Sequence, residues 1–380
     1  MPNILINGVK SKTGGGKSIL QTYLRMINSE LSDFRYFVLT PNADEYKVFE
    51  SDKITIIDIP CFAKYNSFFL LLYHYYFPNI IKEFDIDAIL NYGDIIIPGT
   101  TPQLYNFDWA YAAYPTGPAW DCLSITERIF YGLKIYLFKK YLYSATFIMV
   151  QTELLLKRLQ DIYGLNNLEV VPNAVSLDNF RNRDEHHFNL PEGRTKLLYI
   201  TFYYPHKNIE IFIDIARAIK NRNLPYTLVT TLAPEQHFMA ARFLNTVQAE
   251  GLEEIICNIG PVPMHHVAPL FEQCDGLLMP TLLESFSGSY VEAMFHQRPI
   301  FTSDMDFARG VCGDAAFYFD PLDATDILAA VEQAFSASGN IRDMVDRGNV
   351  QLSTMWDWER VFARTQQLLV RILKPAKNKH

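Results

Sequence analysis

Short runs of apolar, often β-branched residues recur along this chain, each followed by a longer segment with helical spacing. That alternation constrains the fold more than any other feature. Ile4-Leu5-Ile6 precedes Ile19, Leu20, Tyr23, Leu24 and Ile27, which share one helical face, and Tyr36–Leu39, Ile54–Ile59, Ala88–Asn91 and Phe147–Val150 are further runs of strand length. Strands that alternate with amphipathic helices pair in parallel, so the expected class is α/β. The series restarts at Lys196–Ile200, followed by Ile209, Phe212, Ile213, Ile215 and Ala216 at helical spacing. Between the two series lie a helix at Gln151–Leu159, a strand and turn at Leu168–Val175, and the polar stretch Arg181–Arg194, which reads as an interdomain linker. Ala324–Phe335 and Thr354–Val370 read as helices, and Lys374–His380 as a basic, frayed tail.

With 380 residues and 49 % hydrophobic content the chain can bury two cores. A formal charge of −8 argues against a nucleic-acid binder, which normally shows a basic face. The five cysteines, Cys61, Cys122, Cys257, Cys274 and Cys312, are scattered and never spaced Cys-x-x-Cys, which fits a reducing cytoplasm. Met1–Asn7 lacks the basic and apolar regions of a signal peptide, and no apolar run approaches the ~20 residues that span a bilayer.

Chemistry concentrates in Pro280–Met294, where Glu284 and Glu292 stand eight positions apart across a strand-to-helix junction. Gly276–Met279 reads as the buried strand and Tyr290–Phe295 as the helix, with Ser285, Ser287, Gly288 and Ser289 available to cap it. Open backbone N–H groups in a helix's first turn favour an anion. A phosphate flanked by two carboxylates suggests a sugar nucleotide; a capped helix with two solvated glutamates is the alternative. Lys207, at a second strand-to-helix loop, is placed to pair with phosphate oxygens.

Lys10–Ser18 reads as a glycine loop between strand and helix. Gly16-Lys17-Ser18 matches the end of a phosphate-binding P-loop, but position 11 is Ser where that motif begins with Gly. Two segments are rich in aromatics, Phe68–Phe77 and Arg128–Tyr143. The second mixes Arg128, Lys134, Lys139 and Lys140 with large apolar residues and contains no acid. Such a helix lies either in a membrane interface or in a core with its lysines snorkelling to water. His74, in the first segment, reads as a half-buried core residue.

Val171-Pro-Asn-Ala-Val175, His206-Lys-Asn208, Gly260-Pro-Val262 and Glu284-Ser-Phe-Ser-Gly-Ser-Tyr-Val-Glu-Ala-Met294 come in an order and spacing that resembles retaining glycosyltransferase family 4, with its E-x7-E motif. The likeness covers nearly all of 140–365, while the N-terminal half matches in outline. It implies the GT-B fold: two Rossmann-like domains facing each other across a cleft, with a C-terminal helix crossing back to the first. The expected domains are 1–175 for the acceptor, 176–355 for the nucleotide sugar and 356–380 for that helix. By resemblance Glu292 binds ribose hydroxyls, Glu284 faces the transferred sugar, and Lys207 holds the diphosphate. Phe286, Ser287, Gly288 and Ser289 would present N–H groups to sugar and phosphates, and Val262 would lie near the base. Asn173 and His206 join the donor site, with Gly14, Gly15 and Gly16 facing it from the other domain. The family is metal-independent, and the histidine pairs His186-His187 and His265-His266 have a poor chelating spacing.

Two positions depart from the pattern. Phe202 stands where many members carry a phosphate-binding arginine, and Trp109–Trp120 contains no histidine where many carry one near the sugar, leaving Tyr111 or Tyr114 to fill that space. The implied activity is hexosyl transfer, with retention, from a nucleotide diphosphate sugar such as a UDP- or GDP-sugar to a glycan or lipid-linked glycan. The implied setting is bacterial polysaccharide, O-antigen or capsule biosynthesis, in the cytoplasm or at the cytoplasmic face of the inner membrane, with no cofactor beyond the donor. The rival activities are a non-hydrolysing sugar-nucleotide epimerase and a P-loop ATPase or kinase acting through Lys17.

Overall fold

The computed structural model describes residues 1–11, 14–30, 32–60, 68–174, 185–336 and 338–374. Cys61, Lys12 and Thr13 of the glycine stretch, Val175 of the 171–175 motif, part of the 181–194 linker and the tail beyond Lys374 lie outside the described residues. The chain divides into two compact units, one of Met1–Pro115, Ile125–Ala174 and Trp356–His380, the other of Thr116–Ser124 and Val175–Met355.

The strands run β1 Asn3–Asn7, β2 Arg35–Thr40, β3 Ile54–Asp58, β4 Ala88–Asn91, β5 Gln103–Asn106, β6 Phe147–Val150 and β7 Leu168–Val170 in the first unit. The second holds β8 Thr195–Tyr199, β9 Tyr226–Thr230, β10 Ile256–Asn258, β11 Gly276–Met279, β12 Ile300–Ser303 and β13 Phe317–Phe319. Along the chain the helices are α1 Gly14–Ser29, α2 Ala43–Tyr46, α3 Phe69–Leu71, α4 Phe77–Glu83, α5 Pro118–Asp121, α6 Ile125–Tyr141, α7 Glu153–Tyr163 and α8 Ile211–Arg222. They continue as α9 Phe238–Ala249, α10 Val267–Gln273, α11 Gly288–Phe295, α12 Asp306–Cys312, α13 Ala324–Ser336, α14 Ser338–Thr354 and α15 Trp358–Leu373.

Both sheets are parallel, in the orders β3-β2-β1-β4-β5-β6-β7 and β10-β9-β8-β11-β12-β13. Each order reverses once, between β1 and β4 and between β8 and β11. At such a reversal the crossovers leave toward opposite sides and open a crevice at the carboxyl ends of the two strands.

Period-two alternation builds the core of the first unit. Ile4 and Ile6 of β1 pack with Leu20, Leu24 and Ile27 of α1 and with Trp358, Phe362, Leu368 and Leu369 of α15. Leu5 packs on the other side with Phe77, Ile89, Tyr105 and Phe138. Each such side chain taken fully from water contributes about 1.5–3 kcal/mol. Strand β5, Gln-Leu-Tyr-Asn, escapes an apolar-run reading because its ends are polar, yet all four residues are buried. Its burial is possible because Asn7 donates to Asn91 Oδ1 (2.7 Å), Asn91 donates to Gln103 Oε1 (2.6 Å), and Gln103 donates to Ile97 O (3.0 Å).

Four local expectations are corrected. Gly14, Gly15 and Gly16 form the first turn of α1 rather than a loop before it. The terminal helix starts at Trp358 because Asp357 caps it, accepting from Arg360 N at 2.8 Å, and Thr354 instead ends α14. His74 is exposed, bonded to Leu70 O and to the Tyr141 hydroxyl. Lys134 does not snorkel; it is buried with Nζ 2.8 Å from Asp94. Among the described residues no helix is long and apolar enough to cross a membrane.

Candidate functional site

Strands β8 and β11 are hydrogen-bonded neighbours, and the loops leaving their carboxyl ends carry Lys207 and Glu284. After β8 the chain turns through a 3-10 segment, Pro205–Lys207, which ends at Asn208 in the left-handed region (φ 54°). Asparagine tolerates that conformation. The Asn208 amide donates to Pro280 O (3.1 Å) and Pro321 O (2.8 Å), tying the turn to the neighbouring loops. The Tyr199 hydroxyl donates to Lys207 O (3.0 Å), and Leu282 N donates to His206 O (2.8 Å). The backbone that presents Lys207 is thus fixed on three sides.

The Lys207 ammonium reaches Glu284 Oε1 at 2.5 Å, with both side chains largely buried. Thr281, fully buried at the end of β11, has its hydroxyl 3.1 Å from the same carboxylate oxygen. Below it, Ser303 donates to Thr281 O (2.6 Å), while Tyr290 and Thr302 share a 2.7 Å hydrogen bond. Thr281 does not stand out in the sequence, although a hydroxyl two residues past a strand and three before a carboxylate is a usable sign.

Ser287 occupies the N-cap position of α11 with extended backbone, but its side chain makes no capping hydrogen bond. The expected serine cap is therefore absent at Ser287, and the first-turn N–H groups of α11 keep their capacity for an anion. Glu292 lies one turn further along. Burial pushes its carboxyl up to about 7, a hydrogen bond with Ser289 pulling the other way. His206 is held down to about 3 by burial and then by adjacent Lys207, so its ring is neutral at physiological pH. The Tyr204 ring lies nearly parallel to it, centroids 5.6 Å apart.

The structure therefore gathers Lys207, His206 and Glu284 at one strand reversal, with Phe286, Ser287, Gly288, Ser289 and Glu292 on the following loop and helix. Val262 lies in the loop after β10 in the same unit. Gly15, Gly16 and Asn173 belong to the other unit, the glycines exposed in the first turn of α1 and Asn173 half-buried after β7. Phe202 is exposed just ahead of the Lys207 turn. Tyr111 is buried against Tyr131, and Tyr114 lies under Arg158 with the guanidinium 4.0 Å from its ring centre. Lys17, the residue a P-loop would use, is ion-paired with Glu45 at 2.5 Å. Among the described residues no three His, Cys, Asp or Glu side chains are placed to hold a metal. His186 stacks on His266, ring centres 4.0 Å apart.

Residues 194–337 match the family model "Glycosyl transferases group 1". A curated relative, the MMP alpha-(1->4)-mannosyltransferase of Mycolicibacterium hassiacum, is 24% identical over 205 residues, 52% of this chain and 47% of its own. The chain thus spans about half the length of the curated relative it matches. Among solved structures, sucrose-phosphate synthase from Thermosynechococcus elongatus aligns over 98% of this chain and 99% of its own, with TM-score 0.79 and 13% identity. WaaG, a glycosyltransferase involved in lipopolysaccharide biosynthesis, aligns over 96% and 99% with TM-score 0.70 and 14% identity. Anabaena HepE, solved in complex with UDP-glucose, aligns over 98% and 100% with TM-score 0.70 and 14% identity. The two parallel-sheet units have the GT-B fold of these structures, and the second of them carries the glycosyl transferases group 1 pattern.

Proposed function

We propose that this chain is a glycosyltransferase that moves a hexose from a nucleotide diphosphate sugar to a hydroxyl of a glycan or lipid-linked glycan, with retention at the anomeric carbon. The observation that carries the reading is the Lys207–Glu284 ion pair at the β8/β11 reversal, next to a helix whose N-cap side chain leaves the first-turn N–H groups open. A diphosphate gives Lys207 a second anionic partner, and the first turn of α11 receives the phosphate oxygens. Glu292 holds the ribose hydroxyls and Glu284 the hydroxyls of the sugar. As the bond from the anomeric carbon to the diphosphate oxygen breaks, Lys207 and the helix terminus stabilise the growing negative charge. The acceptor oxygen attacks from the same face and its proton passes to the departing phosphate. Both glutamates are occupied in binding, so neither is the nucleophile of a two-carboxylate glycosidase mechanism. No metal enters this scheme. The UDP-glucose complex of HepE supports a UDP-sugar as donor, the mannosyltransferase relative supports transfer of a hexose, and the part WaaG plays in lipopolysaccharide biosynthesis supports a glycan or lipid-linked glycan as acceptor.

A thermal-shift panel with UDP-, GDP- and ADP-sugars, followed by slow donor hydrolysis, tests the reading. One nucleotide sugar should raise the melting temperature of the native chain and not of Lys207→Ala or Glu292→Ala. Failure of every sugar nucleotide to stabilise the chain overturns it.

A further inference from the structure

Away from the Lys207–Glu284 site, the first unit carries a helix whose polarity is turned inside out. Lys134 of α6 is buried on Asp94, with Leu137, Phe138 and Tyr141 beside it in the interior. On the outer side Ile125, Ile129, Leu133 and Tyr136, with Tyr143 just beyond the helix, are between 39 and 78% exposed. Their spacing places them on one stripe, about 27 Å long at ~1.5 Å per residue. A soluble protein normally shows water the opposite face of such a helix.

A second segment extends the stripe. Leu72–Tyr76 is a π-helical turn between α3 and α4. In a continuous α-helix Phe77 would share a face with Leu70 and His74, but the wider turn shifts the register. Phe77 is buried while Leu70, Leu71 and Tyr75 stay exposed. The two segments meet at the His74 Nε2 to Tyr141 hydroxyl bond of 2.6 Å. There a groove of about 480 Å³ opens between Leu70, Leu71, Tyr75, Leu137 and Lys140.

The charge around this surface selects its occupant. Residues 68–77 and 128–143 contain no Asp or Glu, the single acid of α6 being Glu127 in its first turn, in a chain with 42 acids and 34 Lys and Arg. Arg128, Lys139 and Lys140 are exposed along it. Among the described residues neither Lys139 nor Lys140 is ion-paired with a carboxylate. A protein-binding groove normally has a rim of mixed charge, whereas aliphatics, tyrosines and cations together match the acyl boundary, headgroup level and anionic phosphates of a bilayer surface. We propose that α6 and the 68–77 segment form a docking face that lies in the interface of an anionic lipid bilayer. The inference stands apart from the transfer reaction, since it needs neither donor nor acceptor.

Cosedimentation of the full chain with phosphatidylcholine vesicles, with and without phosphatidylglycerol, tests it. The chain should bind the anionic vesicles, release them as salt rises, and bind pure phosphatidylcholine weakly. Lys139→Gln and Lys140→Gln should each lower the partition constant about fivefold. The combined Ile129→Ser, Leu133→Ser and Tyr136→Ser variant should lower it more than either, with at most a small loss of melting temperature, because Ile129 and Tyr136 stand mostly in water and Leu133 is 39% exposed. Val350→Ser, at an exposed apolar position of the second unit, should change nothing. Absence of binding to anionic vesicles overturns the proposal, as does binding that both variant sets leave intact. Concentration-dependent dimerisation that the triple variant abolishes, with no vesicle binding, assigns the face to a second copy and overturns it too. Nucleotide-sugar stabilisation measured without vesicles keeps failure of the transfer reading separate.

Discussion

Lys207 and Glu284, seventy-seven positions apart in sequence, are joined Nζ to Oε1 at 2.5 Å because β8 and β11 lie side by side where the strand order reverses. Sequence distance is cancelled by topology, and a largely buried cation is held at a defined point beside the loop that leads into α11.

That pair sets the first prediction. Lys207→Ala removes the charge that stabilises a departing diphosphate and should lower the donor turnover rate about 10²–10³-fold. Lys207→Arg should restore little of it, because a planar fork does not occupy the place of a compact ammonium. Turnover of the stabilising nucleotide sugar, with circular dichroism to check folding, measures both.

Glu292 gives a pH dependence. Its carboxyl titrates at about 7 in the fold against an ordinary 4.5, so the fold favours the protonated form. That contribution is complete below the ordinary value and disappears as pH rises through about 7. Glu292→Gln, neutral throughout, should therefore melt roughly 2–4 °C above the native chain near pH 8 and show no gain near pH 4.5. The same variant should lose stabilisation by the donor. A melting curve identical to the native chain at both pH values would count against the buried carboxyl.

His206 works in the opposite sense. Its ring is neutral in the fold down to about 3 against an ordinary 6.5, so its contribution is complete above the ordinary value and is lost as pH falls between the two. His206→Gln should flatten the fall in melting temperature between about pH 6.5 and 4. Proton-detected NMR of the native chain should show one histidine that stays neutral across that range.

Lys134 tests the first unit. Burial alone raises the Asp94 carboxyl, yet Lys134 and then Lys10 outweigh it and hold it down at about 2. Lys134→Met leaves that carboxylate with Lys10 alone, 3.5 Å away, and should cost roughly 2–3 kcal/mol, below the usual cost of breaking a buried pair because Lys10 stays and Asp94 keeps some access to water. Adding Asp94→Asn should recover most of the loss in urea unfolding.

Much of this fold was legible. Runs such as Ile4–Ile6, Ala88–Asn91 and Phe147–Val150 announced themselves because a strand buried on both faces is apolar at nearly every position. Gln103–Asn106 did not, since its burial depends on partners at Asn91 and Ile97 that no local window contains. Glu284, Glu292 and Lys207 stand out from motif order as candidates, whereas Thr281 and Asn208 act through backbone carbonyls and a left-handed turn that the folded chain supplies. The serine cap failed for a related reason: residue type shows what Ser287 can do, and its backbone decides what it does.

Helix α15 fills one side of the first unit's core with Trp358, Phe362, Leu368 and Leu369, yet the whole second unit precedes it in the chain. During synthesis the β1–β7 sheet leaves the ribosome early and waits, the face that α15 shares with α1 only part-covered, for about 180 residues of another unit to emerge. The second unit can close as soon as α14 is made. The first to be translated is thus the last to be finished, and a nascent chain stalled before Trp358 would present Ile4, Ile6, Leu20 and Leu24 to chaperones.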